Sequence, residues 1–170
     1  MESEMKKRWI SLYVINEIGV LARISGLFSG KSYNIETLTV GVTEDPDVSR
    51  MTISLISDDK TFEQIKKQLN RSVEVIKVVD FTNIPIHMKE LLFVKIIGCS
   101  KADKEEIFRI AQVFDCVVID YDKTTVLLQC VLTETKNNDI IALLGKNFPS
   151  RLEVVRGGSV AIEAVSMTDR

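Results

Sequence analysis

A single histidine, His87, and three cysteines are all that the chain offers to the commonest catalytic and metal chemistry. Neither set supports a reaction centre. His87 has no serine, cysteine or paired carboxylate at a spacing that suggests a relay, so no catalytic residue is expected. Cys99, Cys116 and Cys130 are odd in number, far apart and embedded in apolar runs, which reads as reduced core thiols and not as a metal site. Phosphate loops, dinucleotide fingerprints and zinc spacings are missing, and the acidic stretch Glu44, Asp45, Pro46, Asp47 lacks the spacing of a calcium loop, which leaves a solvated turn. Charge of one sign is lacking as well: 22 basic and 24 acidic residues, interspersed along 170 positions, leave a net charge of −2. That gives no footprint for nucleic acid or an anionic membrane. No apolar run approaches about 18 residues, and the N-terminal Met1, Glu2, Ser3, Glu4 lacks a signal-peptide core, so a cytoplasmic protein is expected.

What is present is an apolar pattern that changes period several times and then does so again. Ile10, Leu12 and Val14 alternate as in a strand; Val20, Ile24, Leu27 and Phe28 have helical spacing; residues 35–42 and 50–57 alternate once more. Thr61 and Gln64 have the form of a capping box, followed by a helix with Phe62, Ile65 and Leu69 on one face, and residues 73–80 close the unit as a strand. Residues 91–97 open the second round. Ser100 and Asp103 cap a helix whose apolar face is Ile107, Ile110, Ala111 and Phe114. Residues 116–121 and 125–132 form a hairpin across Asp122, Lys123 and Thr124, residues 139–147 are helical, and residues 151–156 return as a strand before Gly157 and Gly158 break the pattern. The order βαββαβ, twice, implies an α+β chain of two ferredoxin-like domains in tandem: residues 8–80, a linker at 81–90 containing Pro85 and His87, and residues 91–165.

A four-stranded antiparallel sheet with both helices on one face leaves its other face and its edges uncovered. Trp9, Ser11 and Tyr13, or alternatively Thr37, Thr39 and Gly41, would lie on that open face. Side-by-side pairing of two chains would extend the sheet, so a homodimer is expected.

The segment Asn16, Glu17, Ile18, Gly19, Val20, Leu21 joins the first strand to the first helix and has the form of an anion site. A helix that opens at a glycine leaves its first N–H groups unpaired and points its positive end outward. Gly19 keeps the backbone uncovered, and Asn16 supplies a donor and an acceptor. With no Lys, Arg or His inside the segment, the expected guest is small and zwitterionic, such as an amino acid.

The same residues carry a resemblance. The run from Asn16 to Phe28 (NEIGVLARISGLF), then Tyr33-Asn34-Ile35-Glu36-Thr37-Leu38-Thr39-Val40, then Asp45-Pro46 with Ser49-Arg50-Met51-Thr52-Ile53, resemble the small, regulatory subunit of acetohydroxyacid synthase (acetolactate synthase), whose first domain is an ACT domain. Ser32 departs from that pattern, where glycine is usual. The resemblance implies a regulatory chain without cofactor of its own. It would act on a catalytic large subunit that carries thiamine diphosphate, magnesium and FAD, raising its activity and making it sensitive to valine, or to isoleucine or leucine. It also implies an effector between the ACT domains of a dimer: the turn Asn16 to Leu21 on the carboxylate, Asn34 of the other chain on the ammonium, Ile35 and Thr39 nearby, and Ile18, Leu21 and Ile35 around the branched side chain. A stand-alone amino-acid-responsive regulator of transcription is the alternative, against which the near-neutral charge counts; a small enzyme on this scaffold would need an acid, base or nucleophile that the sequence does not converge.

Overall fold

The computed structural model describes residues 4–30 and 33–165. Ser32 therefore lies outside the described residues. The described residues form two compact units, one of those up to 87 with 160–165, the other of residues 88–159.

In the first unit β1 (Lys6–Ile15), α1 (Val20–Ser29), β2 (Ile35–Val42), β3 (Val48–Ser57), α2 (Asp59–Leu69) and β4 (Val75–Asp80) follow one another, and the antiparallel sheet has the order β2-β3-β1-β4. Alternation along β1 and β3 sends Ile10, Leu12, Val14, Met51, Ile53 and Leu55 to one face, where they pack under Val20, Ile24 and Phe28 of α1 and Phe62, Ile65 and Leu69 of α2. The opposite face is polar. Both expected triplets share it, because Thr39 and Ser11 each pair with Thr52, Thr37 with Ser54, and Gly41 and Tyr13 each with Arg50. Arg50 Nε donates to Ser11 Oγ at 2.8 Å while its guanidinium lies 5.0 Å over the Tyr13 ring, so small hydroxyls are buried on an otherwise open sheet.

The second unit repeats the plan with β5 (Ile86–Ile96), α3 (Lys101–Phe114), β6 (Val117–Tyr121), β7 (Val126–Leu132), α4 (Glu134–Asn147) and β8 (Leu152–Glu163), in the sheet order β6-β7-β5-β8. Its core joins Leu92, Val94 and Ile96 with Leu128 and Ile107. Ser100 and Asp103 form the expected reciprocal capping box at 3.1 and 2.9 Å.

Four boundaries differ from the sequence pattern. The cap of α2 is Asp58, whose Oδ1 accepts the Thr61 N–H at 2.7 Å; Thr61 is the third helical residue and not the cap. Strand β5 starts at Ile86 and not at residue 91, and α4 starts at Glu134, capped by Thr133, and not at residue 139. Strand β8 runs through Gly157 and Gly158 instead of ending there. Gly157 is where a strand passes close to its neighbour, since a Cβ there would stand 3.3 Å from the Leu91 carbonyl oxygen.

These extensions share a cause in a buried polar cluster. Glu90, 1% exposed, occupies a core position of β5. Arg156 grips its carboxylate in a fork, Nε to Oε1 at 2.9 Å and Nη2 to Oε2 at 2.7 Å, and Asn137 Nδ2 donates to Oε2 at 3.0 Å. Burial opposes the charge, yet the Arg156 and Asn137 bonds outweigh it and hold the Glu90 carboxyl below the usual carboxylate range.

Candidate functional site

Where β1 ends, the chain turns at Asn16 and enters α1 at Gly19. Asn16 is anchored twice to the loop between β2 and β3 and once to the start of β3: its N–H donates to Asp47 O at 2.7 Å, its Nδ2 to Pro46 O at 2.9 Å, and its Oδ1 accepts from Ser49 Oγ at 3.0 Å. One amide hydrogen and one lone pair of that side chain remain for a further partner. The Asn16 side chain therefore fixes the shape of the turn before any ligand is considered.

Gly19 is the N-cap of α1, with φ 85° and ψ −5°, and no side chain caps the helix. This left-handed backbone requires glycine or taxes anything else. The Val20 N–H closes on Glu17 O at 3.3 Å, and the i→i−4 ladder begins only with Arg23 N–H to Gly19 O at 3.0 Å. Among the described residues the N–H groups of Leu21 and Ala22 have no hydrogen-bond acceptor, which leaves two aligned donors at the positive end of a ten-residue helix. Leu21 is exposed and Ile18 wholly so, whereas the Val20 side chain is buried in the core.

Arg23 completes the setting, and the sequence did not mark it, because its partner Glu74 lies far along the chain. Its Nη1 stands 3.4 Å from where a Cβ on Gly19 would be, and its Nε pairs with Glu74 Oε1 at 2.6 Å. A cation at the positive end of a helix is unfavourable by itself; Glu74 offsets it. The Ser72 hydroxyl, Glu74's own backbone N–H and Arg23 together hold the Glu74 carboxyl below its ordinary range. The Arg23 guanidinium is thus held beside the turn as a neutralised pair, with Nη1 next to Gly19.

The structure gathers Asn16, Ile18, Gly19, Val20 and Leu21 into this one turn and places the other three candidates elsewhere. Asn34 is exposed just before β2, Ile35 opens that strand and packs half-buried against the core, and Thr39 sits midway on the open face. The turn lies at the Val42 end of β2, because Ile15 pairs with Val48 and Val42 with Ser49. Eight steps of about 3.3 Å separate Val42 from Asn34, so Asn34 is about 25 Å along the strand from the turn of its own chain.

Two βαββαβ units, the first opening its helix with a glycine-based, donor-rich turn, define a tandem ferredoxin-like protein with an N-terminal ACT domain. Comparison with known proteins agrees. Residues 10–77 match the model of the AHAS small subunit-like ACT domain, and residues 89–165 that of the small subunit of acetolactate synthase. The chain is 40% identical to the acetolactate synthase small subunit of Aquifex aeolicus, over 95% of this chain and 83% of that protein. It is 38% identical to the isozyme 3 small subunit of Salmonella typhimurium, over 92% and 94%. The crystal structure of the Thermotoga maritima small subunit superposes with a TM-score of 0.84 at 30% identity, covering 95% of this chain and 99% of that one. The chain belongs to the acetolactate synthase small-subunit family. Among the described residues no helix is long and apolar enough to cross a membrane, and no cluster of three His, Cys, Asp or Glu could hold a metal ion.

Proposed function

We propose that this chain is the regulatory subunit of a cytoplasmic acetolactate synthase: it activates a thiamine-diphosphate-dependent catalytic chain, which carries magnesium and FAD, and renders it sensitive to valine or another branched-chain amino acid. Residues 8–80 form the effector domain and residues 91–165 the second domain, with 81–90 between them running into β5 from Ile86. The observation that carries the effector assignment is the Gly19 turn, with two unclaimed N–H donors and the Arg23 guanidinium beside them. These suit a carboxylate.

The ammonium and side chain of the effector meet a second copy of the chain. Strand β2 is an edge, and Val40 and Val42 are exposed along it. Antiparallel pairing of β2 with its counterpart places Asn34 of one chain beside the Gly19 turn of the other, with Ile35 and Thr39 near the seam. Ile18 and Leu21, exposed in the single chain, then have something to pack against. One methylene in such a pocket changes affinity by about 1–3 kcal/mol, so valine, leucine and isoleucine differ in degree. The test is calorimetric titration of the purified chain with L-valine, followed by acetolactate formation by the reconstituted catalytic chain with and without valine. Saturable binding together with valine-sensitive activation is the expected result; activation that valine does not alter, with no binding, overturns the effector assignment.

A further inference from the structure

The three cysteines are separate in sequence, but the fold brings two of them together. Strand β6 pairs antiparallel with β7 in the register Val117 to Gln129 and Val118 to Leu128, so one step further Cys116 stands opposite Cys130. The Cys116 N–H donates to Ala111 O at 2.8 Å, closing the end of α3, and is not shared with β7. The Cys116–Cys130 pair is therefore of the kind without mutual backbone hydrogen bonds, whose Cα atoms stand about 4.5 Å apart. Disulfides span Cα separations of about 4.4–6.8 Å, so the backbone is already at bridging distance. Both side chains face the helices: Cys130 is fully buried in the core, and Cys116 is half-buried against it, its thiol donating to Phe114 O at 3.8 Å.

Access differs between them in a useful way. Cys116 lines an open groove of about 580 Å³ between α3 and β6, with Phe108, Gln112 and Tyr121 on its walls, whereas Cys130 has no exposed surface. Cys99, also buried, donates its thiol to Ile96 O at 3.4 Å, and it serves as an internal control.

We propose that Cys116 and Cys130 are a modification site, a cross-strand dithiol that a peroxide converts reversibly into a disulfide. The Cys116 thiolate, reached from the groove, attacks one oxygen of hydrogen peroxide; the O–O bond breaks, and the departing hydroxide takes up a proton as water. The Cys130 sulfur then attacks the resulting sulfenic acid; the S–S bond forms, the S–O bond breaks, and the hydroxide leaves with the Cys130 proton as a second water. Two thiols lose two electrons, and one peroxide becomes two waters. Burial pushes both thiols up from their ordinary range, so the reaction is slow near neutrality and quickens as pH rises. The bridge would tie the edge strand β6 to β7 where α3 ends.

The experiment exposes the full-length folded chain to hydrogen peroxide from about pH 7 to about pH 9, then alkylates it and maps its peptides. The expected result is a fall from three free thiols to one, a single linked peptide pair joining Cys116 to Cys130, and full recovery of thiols with dithiothreitol. Cys130→Ser leaves Cys116 without a resolving thiol, so in that variant it advances to sulfinic acid and dithiothreitol no longer restores it. Oxidation of wild-type Cys116 to sulfinic acid with Cys130 still free, linkage through Cys99, or loss of thiols only after the circular-dichroism signal collapses would each overturn the proposal.

Discussion

Replacing Arg156 by leucine removes the only cation on the Glu90 carboxylate among the described residues while leaving Glu90 in the core. The cost has a ceiling set by the group itself. Breaking a buried pair from one side costs about 3–5 kcal/mol, but a carboxyl can escape by taking up a proton. At pH 7 neutralising a carboxyl of ordinary pKa, about 4.3, costs about 3.7 kcal/mol, at about 1.36 kcal/mol per pH unit. Asn137 Oδ1, buried without a donor in the same cluster, offers an acceptor for that proton. The penalty in Arg156→Leu is therefore about 3–4 kcal/mol at pH 7 and about 1 kcal/mol at pH 5.

The sign reverses between the two proteins. In the wild type Glu90 is held below its unfolded value, so its contribution is present at neutral pH and lost as pH falls through the folded pKa. In the variant the folded pKa is raised above the unfolded one, so stability is kept at acid pH and lost as pH rises above about 4.3. Urea unfolding followed by far-ultraviolet circular dichroism at several pH values tests this. Fluorescence of the single tryptophan, Trp9, which lies in the first unit, reports on that unit's unfolding alongside. Glu90→Gln with Arg156→Leu removes the charge altogether, and its penalty should be flat with pH. A penalty in Arg156→Leu that is constant from pH 5 to pH 7, or below about 1 kcal/mol at pH 7, refutes the argument.

Two further substitutions probe the first unit. Gly19→Ala forces a side chain into φ 85° with Arg23 Nη1 at 3.4 Å, and should cost about 1–2 kcal/mol in urea unfolding while weakening valine binding in calorimetry. Asp80 loses charge stability to burial but regains more from Lys66, 2.7 Å away, and from Thr82, which keeps its carboxyl below the ordinary range. Asp80→Asn should therefore lower stability by about 0.5–1 kcal/mol at pH 7, with the difference from wild type shrinking as pH falls below about 4 in the same unfolding assay.

Alternation alone made most strands legible, because a half-buried antiparallel sheet writes its faces into every second residue: Ile10, Leu12, Val14 and Leu92, Val94, Ile96 are core in the structure as in the pattern. The pattern failed where polar residues hold core positions. Glu90 hid the start of β5 and Asn137 the first turn of α4, since each looks like solvent-facing sequence until its partner far along the chain is seen beside it, Arg156 for Glu90 and Glu90 for Asn137. Gly157 and Gly158 read as a break because the need for close strand approach is invisible in one sequence. In the turn, Gly19 was readable from its residue type, while Arg23 and Glu74 were not, because the pair joins positions 51 residues apart that only the fold makes neighbours.

The separation of about 25 Å between the Gly19 turn and Asn34 gives the proposed effector site a consequence that a single-chain pocket lacks. A small amino acid would touch both only when two chains pair through β2, so in the proposed arrangement each protomer would hold half of each site. Linkage then requires reciprocity: whatever factor valine adds to dimer affinity, dimerisation adds to valine affinity. Val40, exposed on the edge strand, is the place to separate the two halves without altering either, because a charge on an edge opposes strand pairing and Val40 is not among the ligand-facing residues. Val40→Glu should shift sedimentation toward monomer and weaken valine binding in the same proportion, and raising protein concentration should restore both together. Valine bound with undiminished affinity by a monomeric Val40→Glu chain would show that the turn is a complete site by itself, and that the two-chain arrangement is wrong.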